Sequence, residues 1–144
     1  MKTSIRFENG KLNELRANLL KDLSKEYYAV LFGKYNEIDK NNCIITVKDI
    51  VYYNDNYDDQ SNVSLNIDGN FRDYCLNEID SRVDVDTIID VHTHPFSAGM
   101  PFFSSVDTAD EKAMKEYIVS HDDSIHYASI VFSQDKYNAR LWRV

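Results

Sequence analysis

Six short apolar runs, rich in β-branched and aromatic residues, constrain what this chain can fold into. Each is short enough to be a strand, and they occupy residues 27–33, 43–53, 62–67, 85–95, 125–133 and 138–144. Three amphipathic segments predict helices, at residues 11–25, 71–82 and 104–119. The predicted order is α-β-β-β-α-β-α-β-β. We expect a central mixed sheet flanked by about three helices, in the α+β or α/β class.

Length and charge limit the organisation and the partners of the chain. Its 144 residues fit one domain spanning residues 1–144. Twenty-four acidic and 16 basic residues give a net charge of −8, which disfavours nucleic acid and anionic membranes as partners. The N-terminus lacks the apolar core of a signal peptide, and no window reaches the roughly 20 apolar residues of a membrane span. We therefore expect a cytoplasmic protein that binds neither nucleic acid nor membranes.

The two cysteines and two of the four histidines belong to no recognisable motif. Cys43 and Cys75 are far apart and form no CxxC pair, which argues against a redox motif or a zinc knuckle. Buried free thiols are the favoured interpretation, and a single disulfide is the alternative. His121 and His126 are interpreted as surface or structural histidines.

The segment VHTHP, residues 91–95, places the other two histidines one residue apart at the end of a predicted strand. Side chains at i and i+2 of a strand point to the same face, so His92 and His94 can share an ion. Pro95 cannot donate to a sheet ladder and marks the end of the strand, where α/β sheets often form clefts. The alternative is that both histidines face solvent without a ligand.

A further polar pair follows in SSVD, residues 104–107, at the predicted start of the third helix. Ser104 and Asp107 have the spacing of a helix cap, and a cap alone would account for both. A carboxylate in the first turn can also reach back to the imidazoles. Two nitrogens and one carboxylate oxygen are a common zinc set that leaves a fourth position open. Zinc lowers the pKa of its water from about 15.7 to about 7 and polarises carbonyls, which suits amide hydrolysis.

HTHP followed by SSVD resembles the JAMM motif of the JAB/MPN metalloproteases, a family that includes deubiquitinating isopeptidases and their prokaryotic relatives. The resemblance implies that His92, His94 and Asp107 bind Zn²⁺ and that Ser104 helps to stabilise the oxyanion. It also implies a single MPN/JAB-type domain with a cytidine-deaminase-like architecture. The short chain is typical of a compact prokaryotic or phage-type member.

The general base of this family is a glutamate on an early strand, with a glycine seven residues later. The segment EYYAVLFG fits that pattern with Glu26 and Gly33. The resemblance thus implies that Glu26 takes a proton from the zinc water and passes it to the leaving amine. Asp90 is the rival, because it lies two residues before His92 on the same strand face and could act as the base or as a partner of an imidazole.

The loop between Pro95 and Ser104 departs from the family pattern, since FSAGMPFF has eight residues where six are usual. A two-residue extension accounts for the difference. The loop also holds four large apolar residues, interpreted either as packing or as the lining of a groove for an extended peptide: Phe96, Met100, Phe102 and Phe103.

The resemblance implies a deubiquitinase-like hydrolase, a zinc-dependent isopeptidase or peptidase whose substrate is the C-terminal tail of a ubiquitin-like protein or peptide. An alternative keeps the zinc chemistry and changes the substrate to a small peptide, a peptidoglycan fragment or the C-terminal extension of a sulfur-carrier protein. A third alternative is non-enzymatic, an MPN scaffold that binds partners through its sheet and helices.

Overall fold

The computed structural model describes residues 2–53 and 69–142. These residues contain six strands and three helices, so the mixed α and β class predicted from the apolar runs is confirmed. In chain order the elements are β1 (Lys2–Arg6), α1 (Lys11–Leu19), β2 (Tyr28–Asp39), β3 (Asn42–Tyr52), α2 (Gly69–Ser81), β4 (Thr87–Thr93), α3 (Ser105–His121), β5 (His126–Phe132) and β6 (Tyr137–Trp142).

The six strands form one sheet in the order β1-β3-β2-β4-β5-β6. The β1–β3 and β4–β5 pairs are parallel, and the β2–β3, β2–β4 and β5–β6 pairs are antiparallel. Strand β4, which carries the two neighbouring histidines, therefore lies in the interior of the sheet. Because Tyr28 of β2 pairs with His92 of β4, the residues just before β2 lie beside the end of β4.

Helices cover both faces of the sheet. Leu15 and Leu19 of α1 are fully buried against one face, in a cluster that includes Ala29, Val91 and Ile130. Helices α2 and α3 pack on the other face, against a cluster that includes Tyr28, Val30, Phe32, Ile88 and Tyr127. Burying one leucine or phenylalanine side chain contributes about 1.5–3 kcal/mol, so this packing stabilises the short helices. Ile88, His92 and His94 are separated by even numbers of residues along β4, so their side chains point to the same face of the sheet. Ile88 packs in the cluster under α2 and α3, so the two histidines point to the α2–α3 face as well.

Strand β1 is an element that the sequence patterns do not predict. Its five residues, KTSIR, include only one large apolar side chain, that of Ile5. The strand forms because it pairs in parallel with β3 along its whole length. Non-local pairing therefore supplies the order that local composition does not indicate.

Strand β2 is longer than predicted, since it continues past Gly33 to Asp39. Gly33 lies at an irregularity in the pairing with β3, and a Cβ atom there would lie 2.9 Å from the Thr46 carbonyl oxygen. The glycine thus permits a close approach of two strands rather than ending one. The turn is confined to residues 40–41, where the Asn41 N–H donates to Asp39 Oδ1 at 2.7 Å.

Helix α1 is shorter than predicted and ends at Leu19 rather than at residue 25. Asp22 Oδ1 accepts from both the N–H and the hydroxyl of Ser24, which gives the backbone an alternative to helical bonds. The remaining predicted helices and strands within the described residues match their observed bounds within about two residues.

The predicted strand at residues 62–67, the loop at 54–61 and the helix start at Asp68 lie outside the described residues. Cys43 and Cys75 are both buried and free, and burial raises the pKa of the Cys75 thiol to about 12. None of the helices in residues 2–53 and 69–142 is long and apolar enough to span a bilayer.

Candidate metal centre

Strand β4 presents His92 and His94 side by side at its C-terminal end. Tyr28 opposes His92 in β2, and Val131 opposes it in β5, so the backbone of His92 is held on both sides and its ring projects from the face of the sheet. The N–H of His94 donates to the Phe132 carbonyl at 2.7 Å, which fixes the chain just beyond the strand. The two imidazole centroids are 5.0 Å apart, with ring planes at 67°.

Asp107, in the first turn of α3, contacts both imidazoles. Its Oδ1 is 3.2 Å from His92 Nε2, and its Oδ2 is 3.2 Å from His94 Nε2. A capping box holds the carboxylate: the Asp107 N–H donates to Ser104 Oγ at 3.0 Å, and the Ser104 N–H donates to Asp107 Oδ2 at 2.8 Å. The structure thus brings the two neighbouring histidines together with an acid that follows the 96–103 loop in the chain.

The eight-residue loop, residues 96–103, is anchored to the hairpin between β5 and β6. Gly99 has φ of +87°, a left-handed conformation that favours glycine. Its N–H donates to Asp135 Oδ1 at 2.7 Å, and its carbonyl accepts from Ser133 Oγ at 2.5 Å. Other hairpin groups donate to three more carbonyls along this segment, those of Pro95, Ser97 and Pro101. These bonds give the extended loop a defined path to Asp107.

Glu26 lies beside His94, just before β2. Its Oε1 is 4.0 Å from His94 Nε2, and its side chain is 14% exposed. The N–H of Tyr27 donates to Thr93 Oγ1 at 3.0 Å and ties this end of β2 to β4. Burial raises the pKa of Glu26, and the neighbouring His94 and His92 oppose that rise. A carboxyl group with a raised pKa is suited to exchanging protons near neutral pH.

The charges within the cluster are strongly coupled. Burial opposes ionisation of Asp107, but the contacts from His92 and His94 and the N–H of Ser104 outweigh it, so the pKa of Asp107 lies well below its usual range. The contact with Asp107 in turn raises the pKa of His94, against the effect of burial. Asp107 is therefore a carboxylate at physiological pH, the form that binds cations.

The three donors fit a zinc ion in their chemistry and spacing. His92 Nε2 is buried and has no hydrogen-bond partner among the described residues, because its approach to Asp107 lacks hydrogen-bond geometry. Leaving a buried polar atom without a partner is costly, so a bound cation would satisfy it. Ligand atoms at about 2.0–2.1 Å from a tetrahedral zinc stand about 3.3 Å apart. The two nitrogen–oxygen contacts of 3.2 Å, which involve different oxygens of Asp107, are each close to that spacing. One ligand atom from each of the three residues lies within 4.8 Å of the others.

Ser104 caps helix α3 and is exposed at its start, as its position in SSVD predicts. Its hydroxyl oxygen accepts from the Asp107 N–H. A serine hydroxyl that accepts one hydrogen bond can still donate its own hydrogen, so the capping contact does not prevent a role toward a substrate.

Asp90, the rival to Glu26, is engaged in the interior. Its two oxygens accept from the hydroxyls of Tyr28 and Tyr127. Burial raises the pKa of Asp90 to about 6, and those two hydrogen bonds oppose the rise. Glu26, not Asp90, is the second carboxylate that approaches His94.

Glu111 is a buried acid that the sequence motifs do not identify. Its Oε1 accepts from Ser129 Oγ, from Arg140 Nε at 3.1 Å and from Trp142 Nε1 at 2.8 Å. The carboxylate thereby fastens α3 to β5 and β6. Its signal in the sequence is helical spacing, because Glu111 lies two turns before Ile118 on the buried face of α3.

The large apolar residues of the 96–103 loop divide into two kinds. Phe103 is half-buried, with the Arg140 guanidinium 4.0 Å from its ring centroid and the His92 ring 6.3 Å away. Three others are exposed, namely Phe96, Met100 and Phe102, the last at 77%. Packing accounts for Phe103 but not for the exposed three.

The other two histidines lie outside the cluster. His121 pairs with Asp80 at 2.8 Å, and His126 stacks on Tyr35 with ring centroids 3.9 Å apart.

Comparisons with known proteins show similarity at the level of the fold. No family model and no curated protein matches the chain. A solution structure of a Desulfitobacterium hafniense protein, from a structural genomics programme, is similar with a TM-score of 0.50 at 18% identity, over 97% of this chain and 82% of that one. The STIL N-terminal domain of Trichoplax adhaerens gives 0.49 at 13% identity, over 94% of this chain and 40% of that one. The first likeness concerns the fold alone, that of an α+β protein.

Proposed function

We propose that this chain is a zinc-dependent isopeptidase or peptidase of the JAMM type, built as a single MPN/JAB-type domain with a cytidine-deaminase-like architecture. It hydrolyses an amide bond at the C-terminal tail of a ubiquitin-like protein. The observation that carries the proposal is the convergence of His92, His94 and Asp107, with a second carboxylate, that of Glu26, 4.0 Å from His94. A cytoplasmic location belongs to the same proposal, and the two free cysteines support it.

In this proposal His92, His94 and Asp107 hold the metal through two ring nitrogens and a carboxylate oxygen. When bound, zinc supplies the Lewis acidity that lowers the pKa of water and polarises a carbonyl group. Asp107 keeps a hydrogen bond from the Ser104 N–H at 2.8 Å, which orients the carboxylate before any ligand arrives. The imidazoles are fixed because β4 is paired on both sides.

Glu26 accepts the proton of the attacking water and returns it to the leaving nitrogen. This role needs a carboxylate that can be protonated during the reaction, and burial raises the pKa of Glu26 in that direction. Tethering of Tyr27 to Thr93 keeps Glu26 beside the imidazoles. Ser104 donates its hydroxyl hydrogen to the oxygen of the reacting carbonyl.

The test is cleavage of a ubiquitin-like fusion by the wild type, Glu26→Gln and Glu37→Gln, each with and without chelator. Glu37 is exposed on β2, the strand that begins just after Glu26, so it controls for the loss of one carboxylate. We expect cleavage by the zinc-loaded wild type and by Glu37→Gln, and loss of at least about 100-fold in Glu26→Gln, the lower end of a general base contribution. Glu26→Gln should still bind zinc. Equal turnover by the wild type and Glu26→Gln would remove Glu26 from this role.

Substrate class is tested with the same enzyme on ubiquitin-like fusions, sulfur-carrier extensions, peptidoglycan fragments and short peptides. The proposal requires that a protein tail be cleaved faster than the free peptide of the same sequence. A preference for small amides would change the substrate and keep the chemistry. A purified chain that neither contains nor takes up zinc would favour the scaffold.

A further inference from the structure

A groove of about 660 Å³ lies between the two outermost strands of the sheet, β1 and β6. One wall is residues 2–5 of β1, and the opposite wall includes Ala139 and Leu141 of β6. The floor is apolar and includes Ile130 and Phe132 of β5. These floor residues belong to the face that packs against α1, so the groove is separate from the metal centre on the α2–α3 face.

Both walls of the groove are strand edges. Among the described residues, β1 pairs only with β3, and β6 pairs only with β5. The Lys2 N–H donates to the Asn41 carbonyl, so Lys2 and Ser4 direct their backbone groups toward β3. In a parallel ladder alternate residues point to opposite sides, so Thr3 and Ile5 direct their N–H and C=O groups outward. An outward-facing edge of this kind is a template for pairing with another extended chain.

The charge of the groove differs from that of the whole chain. Its lining contains Lys2 and Arg140 but no acidic residue, although the chain has a net charge of −8. Arg140 donates to Glu111 on the other face of the sheet. Lys2 is therefore the cation of the lining that would attract an acidic ligand. A further cation is close, because the Arg16 guanidinium lies 5.5 Å from the ring centroid of Phe132 on the groove floor.

We propose that this groove binds an extended peptide segment of a partner protein, which adds as a strand to the outer edge of β1. The segment carries apolar side chains that alternate with acidic ones, because period-two alternation places one set on the apolar floor and the other on the exposed side, where Lys2 lies. Five residues of extended chain span about 16 Å, the length of β1. The volume lies within the roughly 300–1,000 Å³ of ligand pockets.

The probe is a fluorescein-labelled peptide of alternating glutamate and valine, seven residues long, titrated with the full chain and followed by fluorescence polarisation. We expect saturable binding to the wild type. Two control peptides should bind more weakly, one with lysine in place of glutamate and one with proline at the central valine, because proline removes a backbone donor and disrupts pairing.

The matched protein variants are Thr3→Pro and Thr3→Ala. Thr3→Pro removes an outward N–H and leaves the bond from Lys2 to Asn41, whereas Thr3→Ala keeps the N–H. Loss of one hydrogen bond should weaken binding by about 2- to 12-fold for Thr3→Pro relative to Thr3→Ala. A second pair, Ala139→Glu and Ala139→Gln, tests the charge on the exposed wall of β6, and binding should be weaker for the glutamate.

Circular dichroism confirms that each variant is folded before it is compared. The proposal is overturned if the glutamate peptide does not bind, if the lysine peptide binds equally well, or if neither variant pair differs. Sedimentation velocity tests whether a second copy of the chain occupies the groove. Concentration-dependent dimers that Thr3→Pro disrupts would make the groove an interface between two copies. That result would also overturn the partner proposed here.

Discussion

Replacing Asp90 by asparagine is expected to change how the stability of the metal-free chain depends on pH. Asp90 is buried, and its oxygens accept from the hydroxyls of Tyr28 and Tyr127. Burial raises the pKa of both tyrosines as well, so they stay protonated and remain donors. Asparagine can keep contacts with both hydroxyls but cannot ionise, so the variant removes the titration and preserves the packing.

The magnitude follows from the difference between the folded and unfolded pKa. The pKa of Asp90 is about 6 in the folded chain and about 3.9 in an unfolded one. Because the folded value is the higher, the native state binds more protons between these values, and stability falls as pH rises from about 4 to about 6. One pKa step corresponds to about 1.36 kcal/mol, so the total is about 3 kcal/mol. The Asp90→Asn variant cannot ionise at this position, so its stability does not decrease in this way as pH rises.

The assay is urea unfolding in chelator at intervals from pH 4 to pH 7.5, for the wild type and Asp90→Asn. The stability of the variant minus that of the wild type should rise by about 2 kcal/mol between pH 4 and pH 6.5, which is most of the total, and then level off. Asp84→Asn is the control, because the Arg82 contact lowers the pKa of Asp84 and places its titration mostly below pH 4. Its difference from the wild type should fall slightly just above pH 4 and stay flat at higher pH. A flat difference for Asp90→Asn, or one that falls with pH, would refute the reasoning.

Three further outcomes are expected. Zinc at 100 times its dissociation constant should stabilise the wild type by about 2.7 kcal/mol in thermal unfolding, and His94→Ala should abolish the effect; an equal shift in both would place the metal elsewhere. Gly33→Ala should cost about 1–3 kcal/mol in urea, because its Cβ would lie 2.9 Å from the Thr46 carbonyl oxygen; an unchanged midpoint would contradict that contact. Leu19→Ala should cost about 2–5 kcal/mol, since the side chain is fully buried; a cost below about 1 kcal/mol would mean that α1 contributes little to the core.

The parts of the site that depend on one segment are predictable from sequence. Alternation along a strand places His92 and His94 on one face, and the Ser-x-x-Asp spacing identifies Ser104 as a helix cap, which the structure confirms. Local rules do not determine whether Asp107 turns toward the imidazoles. That orientation depends on the loop, whose path is fixed by bonds to a hairpin about 35 residues further on, such as the one between Gly99 and Asp135.

The parts that depend on pairing between distant segments are less accessible from sequence. The approach of Glu26 to His94 follows from the register of β2 on β4, and without the family resemblance a glutamate beside Lys25 has no local feature that marks it. Strand β1 also depends on pairing between distant segments, since its composition gives only a weak strand signal and its pairing with β3 orders it. Glu111 has the helical spacing of a core residue but the chemistry of a surface one, and only its three donors explain its burial.

Asp107 takes part in a helix cap and in the histidine cluster at once, and this dual role bears on how the metal-free chain behaves. A cap contributes about 0.5–2 kcal/mol and does not need a cation, so the carboxylate is already oriented when no ion is bound. The imidazoles are likewise held by strand pairing. Zinc fingers differ, because there the metal supplies the folding free energy. We therefore expect that chelation abolishes zinc binding but leaves the far-ultraviolet circular dichroism spectrum unchanged, whereas loss of helical signal on chelation would mean that the metal, not the capping box, orders the start of α3.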